Sequence, residues 1–433
     1  MSKNLITNPL RLSQPAGAAL AYMGIRGAVP LWHGVQGCTA FAKILMLGHF
    51  REPVPYQTTA MGHGEIVMGG EANIFEAIKN IKDEAELVAL LTTGVSETSG
   101  CDIQGILIEA RDLHPTTNMV GVSTPDFQGS LETGYAKAVK ALIKQFVKPA
   151  AEVEKQVAVL IGPYFTPAEV GKIKDTIKNL GWKPFMLPDL SESLIGRLLP
   201  EEHSPGAIGG LTVEELSQLG ASELVVSIGS SMHKVAGNFA KDIGAEYQSF
   251  DHLALPDEID AFFKLFLKGA QLPEKYLQQR QHLLDMMLDV ESLFYSKKAA
   301  IAGDPELIHR MRAPLEGIGI ETFCISGIPC SDSAMGDLHD LEELFEAEDY
   351  HLLLGNSWAA KMIKDKETVA IPMGMPVFGQ VGGHRKQRCL YWGAANLFEE
   401  LANGVLNLDE AVKPYHSKLK ETLLKNSLLG ETA

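Results

Sequence analysis

The segment with the clearest chemical potential is His33-Gly34-Val35-Gln36-Gly37-Cys38-Thr39-Ala40-Phe41-Ala42-Lys43, where two glycines precede a cysteine and a helical pattern follows. This order predicts Cys38 at a helix N-terminus. The partial positive charge of unpaired N–H groups there lowers a thiol pKa, and the glycines let a bulky ligand approach the backbone. Such a thiolate suits a metal. Residue type alone leaves a second reading open, because an unpaired cysteine also behaves as a small buried hydrophobe.

Other candidates carry less. The five cysteines, Cys38, Cys101, Cys324, Cys330 and Cys389, form no CxxC pair and no stapled framework, which fits a reducing compartment. Cys324 and Cys330 flank Ser326-Gly327-Ile328-Pro329, a gap that matches no strong metal spacing, so both read as core or loop thiols. His33, His49 and His63 read as packing or hydrogen-bonding residues. The basic run His384-Arg385-Lys386-Gln387-Arg388 reads as a solvated face, with an anion or a partner subunit as further options. There is no GxGxxG or Walker A sequence, so no bound nucleotide is indicated.

The elements that must position these residues follow a repeating order of short apolar run, Gly/Ser/Asp turn and amphipathic helix. This is an α/β pattern with mostly parallel sheets. Predicted strands are Leu87-Thr92, Met119-Val122, Val157-Ile161, Leu224-Ile228, Lys298-Ile301, Glu321-Ile325, His351-Leu354 and Val369-Ile371. A break near Lys148-Glu154 and a long helical stretch over Pro273-Tyr295 divide the chain into three Rossmann-like domains, 1–150, 151–296 and 297–433. The carboxyl ends of such strands are where ligands sit.

Composition limits the functions open to this fold. At 433 residues, 45% hydrophobic and 21% charged, the chain has material for a large core. Its net charge of −16 would repel phosphates, which argues against nucleic acid as a partner. Neither a signal-peptide pattern at Met1-Gly17 nor a long apolar run occurs, so a soluble cytoplasmic protein without a membrane partner is expected.

Longer motifs extend the reading. Leu12-Ser13-Gln14-Pro15-Ala16-Gly17-Ala18-Ala19, His33 to Cys38, His49-Phe50-Arg51-Glu52-Pro53, Thr92-Thr93-Gly94 and Ser123-Thr124-Pro125-Asp126-Phe127-Gln128-Gly129 together resemble the nitrogenase component 1 β-subunit family. The likeness resumes at Leu353-Leu354-Gly355-Asn356-Ser357 and Gly374-Met375-Pro376-Val377-Phe378, and so spans nearly the whole chain. In the catalytic members three cysteines surround an eight-iron cluster. The resemblance places one of them at Cys38 and the other two positions at Ala21 and Gly94, where no thiol is present. The serine that can also contact that cluster corresponds to Asp126, whose carboxylate is expected to cap a helix, to accept a hydrogen bond near the cluster, or to bind iron.

These departures resemble the NifE-NifN scaffold branch of the family, on which the iron-molybdenum cofactor is assembled. The resemblance implies a non-catalytic β-like subunit paired with a NifE-like α-subunit in an α2β2 heterotetramer, visited by the ATP-dependent iron protein. It further implies a [4Fe-4S] cluster shared with the partner, with Cys38 the one ligand from this chain. The iron-molybdenum cofactor precursor would be held by the complex, mainly by the partner. A catalytic β-subunit and a metal-free α/β binding module are the alternatives.

Overall fold

The computed structural model describes residues 8–198, 204–363 and 367–408. Three sheets organise them. The first contains β1 (Ala28–His33), β2 (Gln57–Thr58), β3 (Leu87–Thr92) and β4 (Met119–Val122) in the order β2-β1-β3-β4. The second contains β5 (Val153–Ile161), β6 (Lys183–Leu187), β7 (Ser222–Ile228) and β8 (Glu246–Phe250) in the order β6-β5-β7-β8. The third contains β9 (Lys298–Ala302), β10 (Glu321–Ser326), β11 (Ala334–Met335), β12 (Leu352–Gly355) and β13 (Val369–Pro372) in the order β11-β10-β9-β12-β13. All pairings between these strands are parallel.

The local causes are plain. β1 and β3 are buried at every residue, as strands covered by helices on both faces must be. Helix starts carry their own signals: Thr166 and Glu169 form a reciprocal capping box around Pro167, with Thr166 N–H donating to Glu169 Oε2 at 2.8 Å and Glu169 N–H donating to Thr166 Oγ1 at 3.2 Å. All the predicted strands are present, with β5 beginning at Val153 rather than Val157. β1, β2, β6, β8 and β11 are additions. Pro30 in β1 argues against a strand, yet β2 pairs only with Leu31 and Trp32, so at Pro30 the strand has a partner on one side alone.

The sheets share their cores. Val159, Ile161 and Val226 of the second sheet lie in one apolar cluster with Ile301 and Leu354 of the third, and Leu160 and Val225 share another with Trp32 and Leu91 of the first. Leu10 is buried with Ala300, Ile325 and Leu353, and Asn356 Nδ2 donates to the Pro9 carbonyl at 2.8 Å. Pro9 and Leu10 therefore pack on the third sheet, although they precede the first in sequence.

Two close approaches hold the arrangement. Helices Gln14–Tyr22 and Leu131–Phe146 meet through glycines: a Cβ on Gly17 would lie 2.7 Å from the Leu131 carbonyl carbon, and one on Gly134 would lie 2.6 Å from the Gln14 carbonyl carbon. Where the three sheets meet, Glu132, Asp304 and Glu306 are buried together. Tyr164 Oη donates to Asp304 Oδ2 at 2.7 Å, Glu306 N–H donates to Glu132 Oε2 at 2.9 Å, and Ser231 N–H donates to Glu306 Oε2 at 3.2 Å. Burial raises all three carboxyl pKa values, Glu306 to about 7.

Candidate metal centre

The strands of the first sheet all end at the same edge, and the loops leaving that edge carry Cys38, Gly94 and Asp126. β1 ends at His33 and the helix Gln36–Phe50 begins behind the N-cap Val35, which puts Cys38 in its first turn, as the glycine-cysteine order predicts. The His33 carbonyl accepts from Thr93 Oγ1 at 3.0 Å and from Ser96 Oγ at 2.8 Å, fixing the end of β1 against the helix Gly94–Thr98. The buried His33 ring meets Thr59 Oγ1 at 3.0 Å, and burial lowers its pKa to about 4. It is a neutral structural residue.

Cys38 is half-buried, and its thiol pKa is raised rather than lowered, first by burial and then by the charge of Asp126. The expectation of an acidified thiol is thus corrected. The helix terminus is present, but the neighbouring carboxylate opposes it.

Asp126 also explains the space above Gly94. A Cβ on Gly94 would lie 2.8 Å from the Asp126 carboxyl carbon, so the carboxylate fills the volume into which a side chain at 94 would project. Asp126 does not cap the helix Leu131–Phe146. Its N-cap is Ser130, whose N–H donates to Thr133 Oγ1 at 2.8 Å.

The position assigned to Ala21 is corrected as well. Ala21 is fully buried in the core that joins the first and second sheets. The start of its helix, by contrast, touches the Asp126 loop: Gln14 Nε2 donates to the Gln128 carbonyl at 2.8 Å and Arg11 Nη2 to the Asp126 carbonyl at 3.0 Å. Seven residues of helix carry Ala21 about 10 Å beyond Gln14. The N-cap of this helix, between Arg11 and Gln14 in the segment that touches the loop, is Ser13, which is also not a cysteine.

The remaining thiols lie elsewhere. Cys101 packs beside the cluster under helix Ile103–Leu113, and burial followed by Glu97, Glu71 and Asp102 pushes its pKa to about 11. Cys324 is a buried core thiol, as expected, and Cys389 is buried too. Cys330 lies on a loop, where its Sγ is 3.7 Å from His309 Nε2. His49 accepts the Val377 N–H at 2.9 Å, and His63 is exposed.

The basic run at 384–388 is only partly a solvated face, since Arg385 is exposed but His384 and Arg388 are buried. Arg388 is buried, its Nε donates to Glu400 Oε2 at 2.9 Å and its N–H donates to Glu169 Oε1 at 2.7 Å. Nearby, Tyr164, Arg310, Met373 and Met375 line a cavity of about 40 Å³ at the junction of the sheets.

The exposed surface around Cys38 is apolar. Phe41, Ile44 and Leu47 recur at helical spacing along the outer face of Gln36–Phe50, Val67 and Met68 end a second helix of the same edge, and Phe127 adjoins Asp126; each is at least 50% exposed. Patches of this extent mark interaction surfaces.

Comparison with known proteins agrees with this layout. The family model for nitrogenase component 1 type oxidoreductases matches residues 13–406. The chain belongs to that family. It is 34% identical to the nitrogenase iron-molybdenum cofactor biosynthesis protein NifN of Nostoc sp., covering 95% of both chains. To the proteins of that name from Rhizobium meliloti and Klebsiella pneumoniae it is 36% and 31% identical, covering 92% and 97% of this chain and 94% and 95% of theirs. A solved structure described as nitrogenase Cp1 at pH 6.5 superposes with a TM-score of 0.88 at 25% identity, over 96% of this chain and 98% of that one. The nitrogenase component 1 fold is thus the fold of this chain, and among its described residues no helix is long and apolar enough to cross a membrane.

Proposed function

We propose that this chain is the β-like subunit of a scaffold complex on which the iron-molybdenum cofactor of nitrogenase is assembled and matured. The observation that carries the reading is the lone thiol at the first sheet's edge: Cys38 is present, Gly94 has Asp126 in its side-chain space, and neither Ala21 nor Ser13 is a cysteine. An eight-iron cluster lacks its ligands in such a chain, which supports a non-catalytic role. The relatives named as cofactor biosynthesis proteins support the same role.

Cys38 fits one corner of a [4Fe-4S] cluster, whose other thiolates would come from a NifE-like α-subunit. Such a cluster would supply one-electron transfer. The thiol must lose a proton to bind iron, and Asp126 makes that loss harder, so occupancy of the site rises with pH. The exposed Phe41, Ile44, Leu47 and Phe127 support burial of this edge by the partner in an α2β2 heterotetramer. In this reading the cofactor precursor is held mainly by the partner. The iron protein is the transient partner in this reading. Five free cysteines support a reducing, cytoplasmic location.

Co-expression with the partner, followed by iron and sulfide analysis and electron paramagnetic resonance, tests the proposal. A cluster signal that vanishes or is strongly altered in Cys38→Ala, with the subunits still associated, is the expected result. A well-folded monomer carrying a complete four-iron cluster, or robust dinitrogen reduction by the complex, would sink it.

A further inference from the structure

We infer that His309, Cys330 and Asp332 form a second metal site, for one divalent ion of the zinc or iron(II) class, separate from the edge that carries Cys38. His309 sits in the second turn of the helix Pro305–Gly317, which follows β9. Cys330 and Asp332 lie on the connection from β10 to β11, the strand next to β9. Parallel pairing brings both connections to the carboxyl edge of the third sheet, the usual place for ligands.

The donor atoms have the spacing of a coordination shell. His309 Nε2 is 3.1 Å from Asp332 Oδ2 and 3.7 Å from Cys330 Sγ, and all three ligand atoms lie within 4.8 Å of one another. Metal bonds of about 2.0 Å to N or O and about 2.3 Å to S, at tetrahedral angles, put neighbouring donors about 3.3–3.6 Å apart. Little movement separates the two arrangements.

Hydrogen bonding accounts for only part of this cluster. One imidazole nitrogen faces both a carboxylate and a sulfur, and its single N–H cannot serve the two equally. On the opposite side of the ring, Nδ1 meets Ser230 Oγ at 2.9 Å. A serine hydroxyl can reverse its role. With no ion it donates to Nδ1 while Nε2–H points at Asp332, whereas with an ion it accepts from Nδ1–H and frees the Nε2 lone pair for the metal. Ligating histidines are commonly held from behind in this way. Arg312 Nη1 lies 3.4 Å from the Asp332 carbonyl oxygen and 3.9 Å from Oδ1, which ties the connection to the helix without occupying Oδ2.

The donor set selects the ion. Thiolate with imidazole favours zinc-like borderline ions over magnesium or calcium, and three protein ligands leave a fourth position for water or an exchangeable group. His309 and Asp332 are 29% and 47% exposed at their side chains, so such a group has access from solvent.

Cobalt(II) titration of the purified complex, with its iron-sulfur content intact, tests the site. The expected result is a thiolate-to-cobalt charge-transfer band reversed by zinc, abolished in Cys330→Ser and His309→Ala, and shifted to about tenfold weaker cobalt affinity in Ser230→Ala. Unmodified protein provides a second readout that does not depend on the variants folding. Zinc should protect Cys330 from alkylation, followed by mass spectrometry, and leave Cys101 unprotected. Absence of the band, a band unchanged in Cys330→Ser, or equal alkylation of Cys330 with and without zinc would overturn the inference. None of these readouts depends on Cys38 or on cofactor assembly.

Discussion

The carboxylate of Glu306 stands in the space that any side chain at Gly162 would need, and it presses the same way on Gly229, where a Cβ would lie 2.9 Å from its carboxyl carbon. These glycines follow β5 and β7, so a carboxylate from the third unit fills the carboxyl edge of the second sheet. Gly162→Ala should therefore destabilise the fold by about 1–3 kcal/mol through overpacking. Gly64→Ala, which meets nothing within 4 Å on a helix, is the control. Thermal melts of both variants decide the point, and equal melting temperatures would contradict it.

Glu306 also makes stability depend on pH. Its carboxyl pKa rises on folding from 4.5 to about 7, chiefly through burial. Between those values folding takes up a proton, so stability falls as pH rises and levels off above about 7. The full effect is about 3 kcal/mol. Glu306→Gln should flatten this slope, and the difference between its melting profile and that of the parent removes the other titrations. Parallel profiles would rule the effect out.

Asp126→Asn should make Cys38 more reactive. Removing the negative charge lowers the thiol pKa and raises the thiolate fraction at a given pH. Alkylation rates measured against pH should shift to lower pH for Cys38 and stay put for Cys101. An unchanged Cys38 profile would mean that burial alone sets its pKa.

Among the cysteines, Cys38→Ala alone should remove or alter the cluster signal of the complex. Cys101→Ala, Cys324→Ala, Cys330→Ala and Cys389→Ala should leave it intact and cost on the order of 1 kcal/mol each in packing. Side-by-side iron content and paramagnetic resonance make the comparison, and loss of the signal in any of the last four with retention in the first would reverse the assignment.

Gly17→Ala should separate the helices Gln14–Tyr22 and Leu131–Phe146, because the new methyl would meet the Leu131 backbone rather than a movable side chain. Both helices position the Asp126 loop, through Gln14 and through Ser130. A melting temperature several degrees lower, with faster hydrogen exchange in both helices, is expected. Exchange confined to one helix would contradict their direct dependence.

Legibility in the sequence followed the range of the forces involved. Strands such as Leu87–Thr92 and Met119–Val122 declare themselves because burial on both faces demands an unbroken apolar run. Glu246–Phe250 does not, since its first three residues are exposed and it reads Glu-Tyr-Gln-Ser-Phe. Cys38 was legible from local glycine and helix signals, but the sign of its pKa shift came first from burial and then from Asp126, both set by tertiary packing. Arg388 looked solvated for the same reason, as its partners Glu169 and Glu400 are set by tertiary contacts. The grouping of His309 with Cys330 and Asp332 has no signature in spacing, because helix Pro305–Gly317 and β10 intervene before the loop that brings them together.

The burial of Leu10 among Ala300, Ile325 and Leu353 sets an order of events during synthesis. Once Leu10 has left the ribosome, about 290 further residues must emerge before Ala300 exists to receive it. At roughly 5–20 residues per second that delay is on the order of tens of seconds. Through that interval the nascent chain carries Leu10 uncovered beside a first sheet that can already form, and the third sheet, once made, receives it.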